Sequence, residues 1–217
     1  MADQLILYGS PHSQFTYRIA LMLRLAGQPF AFRYVSFQKG VHLTPEFRAL
    51  SRWGQVPVLR CGDRVFVQSG AILEQLAESL SAFGAPDEDG RQAIREWLYW
   101  DADRLAPAVY GCYGVRLGEM KLLPIDIHPV IAADYRRSAA TAFRELELQL
   151  VGKKYLLDPE PTIADIACYG DVAFAELSGI ELTGWQNIAG WAGRIAGLPG
   201  FRRPLDLLPM ADADIGA

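Results

Sequence analysis

Only three cysteines and three histidines occur among 217 residues, and their scarcity closes several function classes at once. Cys61, Cys112 and Cys168 are too few and too widely spaced for a disulfide framework, a CxxC redox pair or a zinc site. The histidines form no HExxH-like pair, so no metal is expected. Positive charge is not in surplus: 21 Lys and Arg stand against 25 Asp and Glu, a formal net of −4 with a pI near 5.4. That excludes the basic surface that nucleic acids or anionic lipids demand, so neither nucleic acid nor membrane is an expected partner. Long hydrophobic runs are missing too; Arg, Glu, Asp or Gln breaks each one well short of the roughly 18 residues of a membrane span. Met1-Ala2-Asp3-Gln4 does not start the charged-then-apolar pattern of an export leader. The expectation is a cytoplasmic protein with reduced thiols.

What is present is ample apolar material, 51% of residues against 21% charged, enough for a sizeable core in one or two domains. The run Leu5-Ile6-Leu7-Tyr8, stopped by Gly9-Ser10-Pro11, reads as a buried strand entering a turn. Phe15, Ile19, Met22, Leu23 and Ala26 then follow helical spacing, with Gly27 placed as the residue just past the helix end. Residues 30–35 form a second strand. Residues 44–50 read as a short helix with Pro45 at its first position. Val56-Pro57-Val58-Leu59 and Val65-Phe66-Val67 flank Cys61-Gly62-Asp63 as a hairpin. Ser69 is expected to cap a helix carrying Ile72, Leu73, Leu76, Ala77 and Leu80. The first 80 residues thus read β-α-β-α-β-β-α.

Apolar periodicity vanishes over residues 81–90, which are rich in Ser, Gly, Pro, Asp and Glu, and a linker is expected there. Beyond it only helical patterns are found. They comprise Ile94, Trp97, Leu98 and Leu105; then Ile131, Tyr135, Ala139, Phe143, Leu146 and Leu150; then Ile163, Ile166, Ala167, Gly170, Ala173, Phe174 and Leu177, a four-turn stretch. The fold class is therefore α/β over residues 1–80, a linker over 81–90, and an all-α domain over 91–217.

Three segments carry chemistry. Tyr8-Gly9-Ser10-Pro11-His12-Ser13 lies between a strand and a helix start, where unpaired N–H groups and the helix dipole favour an anion. A hydroxyl there donates to a bound thiolate and lowers its pKa from about 8.5; the plainer role of Ser10 and Ser13 is helix capping. Gly54-Gln55-Val56-Pro57-Val58 starts a strand at a proline, and a cis Val56-Pro57 bond would offer the Val56 backbone to an extended ligand. Since about 5–6% of X–Pro bonds are cis, a trans proline at a strand start is the alternative. Gln68-Ser69 precedes a helix whose first N–H groups suit a carboxylate, with Gln68 adding capacity for an ammonium. Thr162 and Asp165 have capping-box spacing and are read as a folding element.

The order of these segments resembles the glutathione transferase family. The resemblance is carried by Leu7-Tyr8-Gly9-Ser10-Pro11-His12-Ser13, by His42-Leu43-Thr44-Pro45-Glu46-Phe47, by Trp53-Gly54-Gln55-Val56-Pro57-Val58-Leu59, by Val67-Gln68-Ser69-Gly70-Ala71-Ile72-Leu73, and by Pro161-Thr162-Ile163-Ala164-Asp165-Ile166 after the linker. It implies a thioredoxin-like first domain, a helical-bundle second domain and a homodimer. It further implies glutathione as co-substrate, with no tightly bound cofactor. By resemblance, Val56 and a cis Pro57 pair with the cysteinyl part of glutathione, and Gln68 and Ser69 hold the γ-glutamyl end. Likeness to serine-type, bacterial-like members brings His42 and Lys39 to the glycyl carboxylate, with Gln55 nearby. Tyr8, Ser10 and Ser13 compete as the catalytic hydroxyl, and Ser13 is favoured. Ser13-Gln14-Phe15 sits where cysteine-type members have Cys-Pro-Phe, and an alcohol cannot serve as a redox thiol, so conjugation is expected rather than mixed-disulfide chemistry. The resemblance places the pocket for a small hydrophobic electrophile at His12, Trp97, Trp100, Asp101, Tyr110 and Tyr113, whose aromatic rings suit flat apolar molecules. Two alternatives stay open. Ser51-Arg52 replaces the Asn-Pro common before this turn and Gln68 the commoner Glu, which fits a non-catalytic binding or regulatory protein. Glutathione-dependent peroxide reduction, isomerisation or dehalogenation is the other.

Overall fold

The computed structural model describes residues 4–122 and 126–216; the leader reading of Met1, Ala2 and Asp3 lies outside the described residues. The chain divides into two compact units: the chain up to Ala82 together with the segment from Leu198 onward, and Phe83–Gly197.

The first unit is built on β1 (Leu5–Gly9), α1 (Gln14–Leu25), β2 (Phe30–Tyr34), a 3₁₀ turn (Val41–Leu43), α2 (Pro45–Leu50), β3 (Val58–Cys61), β4 (Arg64–Val67) and α3 (Ser69–Leu80). Gly27 ends α1 with the bond pair of a Schellman motif, its N–H donating to Arg24 O at 3.0 Å and that of Gln28 to Leu23 O at 2.8 Å. Alternation along β1 decides which residues face which helices. Leu7 and its neighbours Leu59 and Phe32 are essentially inaccessible. Gly9 shares that face, where a Cβ would overlap the Thr16 side chain of α1. Tyr8 points the other way, into a cluster of Val35, Phe47 and Val58 that α2 covers.

A fifth strand was not legible in the sequence. Residues beyond the second unit return to the first, where α9 (Pro204–Leu207) packs on α1 and β5 (Ala213–Ile215) pairs antiparallel with β2, giving the order β4-β3-β1-β2-β5. The expectation that everything past residue 90 is helical is corrected here. Ala-Asp-Ile alternates over too few residues to register as a strand, and its hydrogen-bond partner β2 lies about 180 residues away in sequence.

The second unit is helical: α4 (Glu88–Trp100), a π-helical turn (Asp101–Leu105), α5 (Ala106–Glu119), α6 (Pro129–Gln149), α7 (Ile163–Val172) and α8 (Gln186–Ala196). Helix α4 begins inside the stretch expected to be linker, because the Asp87 side chain caps it by accepting the Gly90 N–H at 2.8 Å. Every residue of α7 is buried, so it is the central helix of this unit. It stops at Val172, one turn before the four-turn pattern, and Leu177 falls in a separate 3₁₀ turn. Ile131, expected on the apolar face of α6, is exposed, and Ala132 is buried in its stead. Thr162 and Asp165 form the capping box, with Thr162 N–H donating to Asp165 Oδ2 at 2.9 Å and Ala164 N–H to Thr162 Oγ1 at 3.2 Å. Asp165 Oδ1 also accepts from Leu156 N–H at 2.9 Å and Trp191 Nε1–H at 2.8 Å, tying three segments to one carboxylate. Among the described residues no helix is long and apolar enough to cross a membrane.

Candidate functional site

Strand register gathers the chemistry-bearing segments of the first unit. β1 ends at Gly9, and parallel β2 ends opposite it at Tyr34. Antiparallel β3 begins at Val58, opposite Tyr8, and β4 ends at Val67, opposite Val58. Residues 10–13, 35–43, 51–57 and 68–69 therefore all open at the same end of the sheet.

Ser13 is the N-cap of α1 and is buried, its Oγ accepting the Thr16 N–H at 3.2 Å. Capping uses a lone pair of the hydroxyl and leaves its proton to give to a ligand. Ser10 is more enclosed; its Oγ accepts the His12 N–H at 3.4 Å, and its own N–H donates to Thr16 Oγ1 at 3.4 Å. His12 is exposed beside them. Tyr8 has its ring among the residues covered by α2, on the sheet face away from α1. Of the three hydroxyls expected to compete, only the two serines belong to the start of α1.

At the second helix start the cap assignment is corrected: Gln68, not Ser69, is the N-cap of α3, and Ser69 is its first residue. Gln68 makes no side-chain cap bond and has φ 69° and ψ 115°, a backbone state that costs a non-glycine residue about 1–3 kcal/mol and is common at ligand sites. Freed from capping, its amide reaches across the site, Nε2 donating to Gln55 Oε1 at 3.4 Å. The Val56–Pro57 bond is cis.

Two residues named in the sequence motifs hold this corner through contacts that the motifs do not show. Ser51 Oγ accepts the Gln55 N–H at 3.1 Å and donates to Gln55 O at 2.9 Å, closing the turn without an Asn-Pro pair. Gly54 has φ 63°, and a Cβ there would stand 2.7 Å from the His42 carbonyl oxygen, so only glycine lets these two loops pack. A Ser six residues before a strand-start proline carries no sequence signal of the two hydrogen bonds it makes to Gln55. His42 is half-buried, its ring edge-on to Phe37 at 5.0 Å, and its Nδ1 is buried with no hydrogen-bond partner among the described residues. Lys39 is exposed on the preceding turn, where its N–H donates to Ser36 Oγ at 3.3 Å.

The remaining residues expected to line an electrophile pocket belong to the helical unit. Trp97 and Trp100 meet edge-on at 5.2 Å, and Trp100 Nε1 donates to Glu145 at 3.0 Å. Tyr110 is 61% exposed. Tyr113 is buried against Phe174, ring centroids 5.9 Å apart, and burial pushes its phenol above the ordinary range; the structure makes it a core residue of this unit. Asp101 is 1% exposed at the head of the π-helical turn, and Arg104 pairs with Asp103 at 3.0 Å. Cys61 lies in β3, Cys112 in α5 and Cys168 in α7, none at the start of α1. Among the described residues no three His, Cys, Asp or Glu side chains group as a metal site requires.

With this geometry in hand, residues 7–82 match the family model described as the glutathione S-transferase N-terminal domain. The chain is 26% identical over 191 residues to human glutathione S-transferase theta-2, covering 84% of this chain and 77% of that one. It is 32% identical over 126 residues to a maleylpyruvate isomerase from a Ralstonia species, covering 57% of this chain and 49% of that one. The crystal structure of a glutathione S-transferase from Pseudomonas fluorescens superposes with a TM-score of 0.87 at 27% identity, over 93% of this chain and 99% of that one.

Proposed function

Since the chain belongs to the glutathione S-transferase family, we propose that it binds glutathione at the open end of the sheet and joins the tripeptide's thiol to a small hydrophobic electrophile. The observation that carries this is the convergence of two helix starts, at Ser13 and at Gln68-Ser69, on the end of the sheet where residues 55–57 enter it. Each helix runs 12 residues, long enough to present a full set of unpaired N–H groups and a partial positive charge.

The γ-glutamyl carboxylate is bound by the first N–H groups of α3 and the Ser69 hydroxyl, with the Gln68 amide turned toward the ammonium. The cysteinyl backbone pairs with Val56, which brings the sulfur to the start of α1. There the Ser13 hydroxyl donates to the thiolate while its oxygen continues to cap the helix. The glycyl carboxylate is met by His42 and Lys39. The thiol proton passes to solvent, and the sulfur lone pair forms a bond to the electrophilic carbon. A leaving group then departs with its bonding pair, or a double bond accepts the pair.

A glutathione resin and calorimetry test binding, and chlorodinitrobenzene tests conjugation. Retention together with product formation that falls in Ser13→Ala supports the proposal; a protein that ignores glutathione overturns it. The Ralstonia relative favours one second reading, in which the same thiolate adds to an unsaturated acid and leaves after rotation about the former double bond. Glutathione recovered unchanged after turnover of such an acid selects isomerisation over conjugation.

A further inference from the structure

Without its tail the first unit would expose β2 as an edge strand, a row of unpaired donors and acceptors. β5 covers that edge, pairing Ile215, Asp214 and Ala213 with Phe30, Ala31 and Phe32. The ladder stops there, two residues before β2 ends. The next inter-strand bond is made by a side chain: the Tyr34 N–H donates to Asp212 Oδ1 at 2.8 Å. The following residue is held from the opposite side, Val35 N–H donating to Gly9 O at 2.7 Å, on the strand that delivers Ser13. The chain's exit from β2 is thus pinned between the tail and the site strand. From that exit Ser36 sets the turn, accepting the Val41 N–H on its carbonyl at 3.1 Å and the Lys39 N–H on its hydroxyl at 3.3 Å. Lys39 and His42 stand on the segment so positioned. The tail is itself anchored to α1, because the Tyr17 hydroxyl donates to Arg202 O at 2.8 Å and the Arg24 guanidinium to Gly216 O.

We propose that Asp212 is a positioning residue for the glycyl end of glutathione: by holding the Tyr34 N–H it fixes where residues 35–43 leave the sheet, and so tunes affinity without touching ligand. This rests on the glutathione reading above. The Arg33 guanidinium lies 3.9 Å from Asp212 and 3.8 Å from Asp214, but all three side chains are well exposed, so these ion pairs contribute little; the carboxylate bond to backbone is the effective contact.

The test compares two probes on the full chain, glutathione and γ-glutamylcysteine, which lacks the glycyl carboxylate. Asp212→Ala is expected to weaken glutathione by about two- to tenfold, the span of one solvent-exposed hydrogen bond, and to leave γ-glutamylcysteine unchanged. Asp212→Asn, which keeps an acceptor oxygen, restores glutathione affinity. In ligand-free protein, amides of residues 35–43 exchange with deuterium faster in Asp212→Ala than in wild type. Equal weakening of both probes, or none, overturns the proposal, as does unchanged exchange. A wild type that binds neither probe defeats the glutathione reading instead, and the exchange data alone then decide whether Asp212 holds the segment.

Discussion

Replacing Asp165 with alanine removes a carboxylate that joins the capping box of α7, the segment before it and the indole of α8. Asp165 is fully inaccessible, and its oxygens accept from Leu156 N–H, Thr162 N–H, Trp191 Nε1–H and the Thr162 hydroxyl at 2.8–3.2 Å. The hydroxyl can turn to another acceptor; the other three donors stay buried without one. Each such donor costs about 1–3 kcal/mol, and partial relaxation brings the sum to about 4 kcal/mol. For a chain of this length about 2–4 °C of melting temperature accompanies each kcal/mol, so thermal unfolding of Asp165→Ala is expected about 8–16 °C lower. Circular dichroism reads this directly. A drop under about 3 °C would refute the claim that this carboxylate holds the helical unit together. The pH dependence gives a second check. Burial outweighs the four donors and lifts the Asp165 carboxyl above the ordinary carboxylate range. A folded pKa above the unfolded one means the contribution is whole below the unfolded pKa and is lost as the pH rises through the folded pKa. The stability difference between wild type and Asp165→Asn is therefore largest at the acid end of that window, and a flat difference contradicts the raised carboxyl.

The start of α8 depends on another helix. Glu147 of α6 accepts the N–H groups of Asn187 and Ile188, each at 2.9 Å, and the Asn187 side chain at 2.7 Å; Glu147→Ala is expected to cost about 2–3 kcal/mol in a urea titration, with Glu147→Gln keeping part of it. Thiol chemistry separates the cysteines. Cys61 is half-buried whereas Cys112 and Cys168 are buried, and burial pushes the Cys112 thiol up, so an aromatic disulfide reagent should modify Cys61 first in native protein and all three only after unfolding. Fast modification at Cys112, read by peptide mass, would contradict the packing of α5.

Legibility followed the range of the interactions. The start and end of α1, the Pro45 helix, the hairpin at Gly62 and the Thr162 capping box were all readable because each is decided within a few residues by caps, turns and periodicity. Helix α8 carries Ile188, Trp191 and Ile195 at helical spacing, a pattern that was present and overlooked. β5 and Asp212 were not readable, since their partners lie at the far end of the chain. Face assignments fell between these cases. Tyr8 stands next to the α1 start in sequence, but β alternation turns its ring away from α1. Tyr113 lies one turn from the exposed Tyr110 but packs inward on Phe174. Gln68 was legible as a polar residue at a helix start, though not its positive φ, which turns its amide to Gln55 and leaves the cap to backbone alone.

The proposed conjugation turns on the Ser13 hydroxyl, at the start of α1, stabilising a bound thiolate. The most direct measurement titrates the near-ultraviolet thiolate absorbance of glutathione bound to wild type and to Ser13→Ala. A hydrogen bond to a charged group contributes about 1.5–3 kcal/mol, and one pKa unit corresponds to about 1.36 kcal/mol, so the bound thiol should titrate about 1–2 units below its free value of about 8.5. Ser13→Ala, which also loses an N-cap contribution of about 1 kcal/mol, should still bind glutathione but return the thiol most of the way to that free value. An unchanged thiol pKa in Ser13→Ala, with glutathione still bound, would rule Ser13 out as the thiolate's donor and move the role to Ser10.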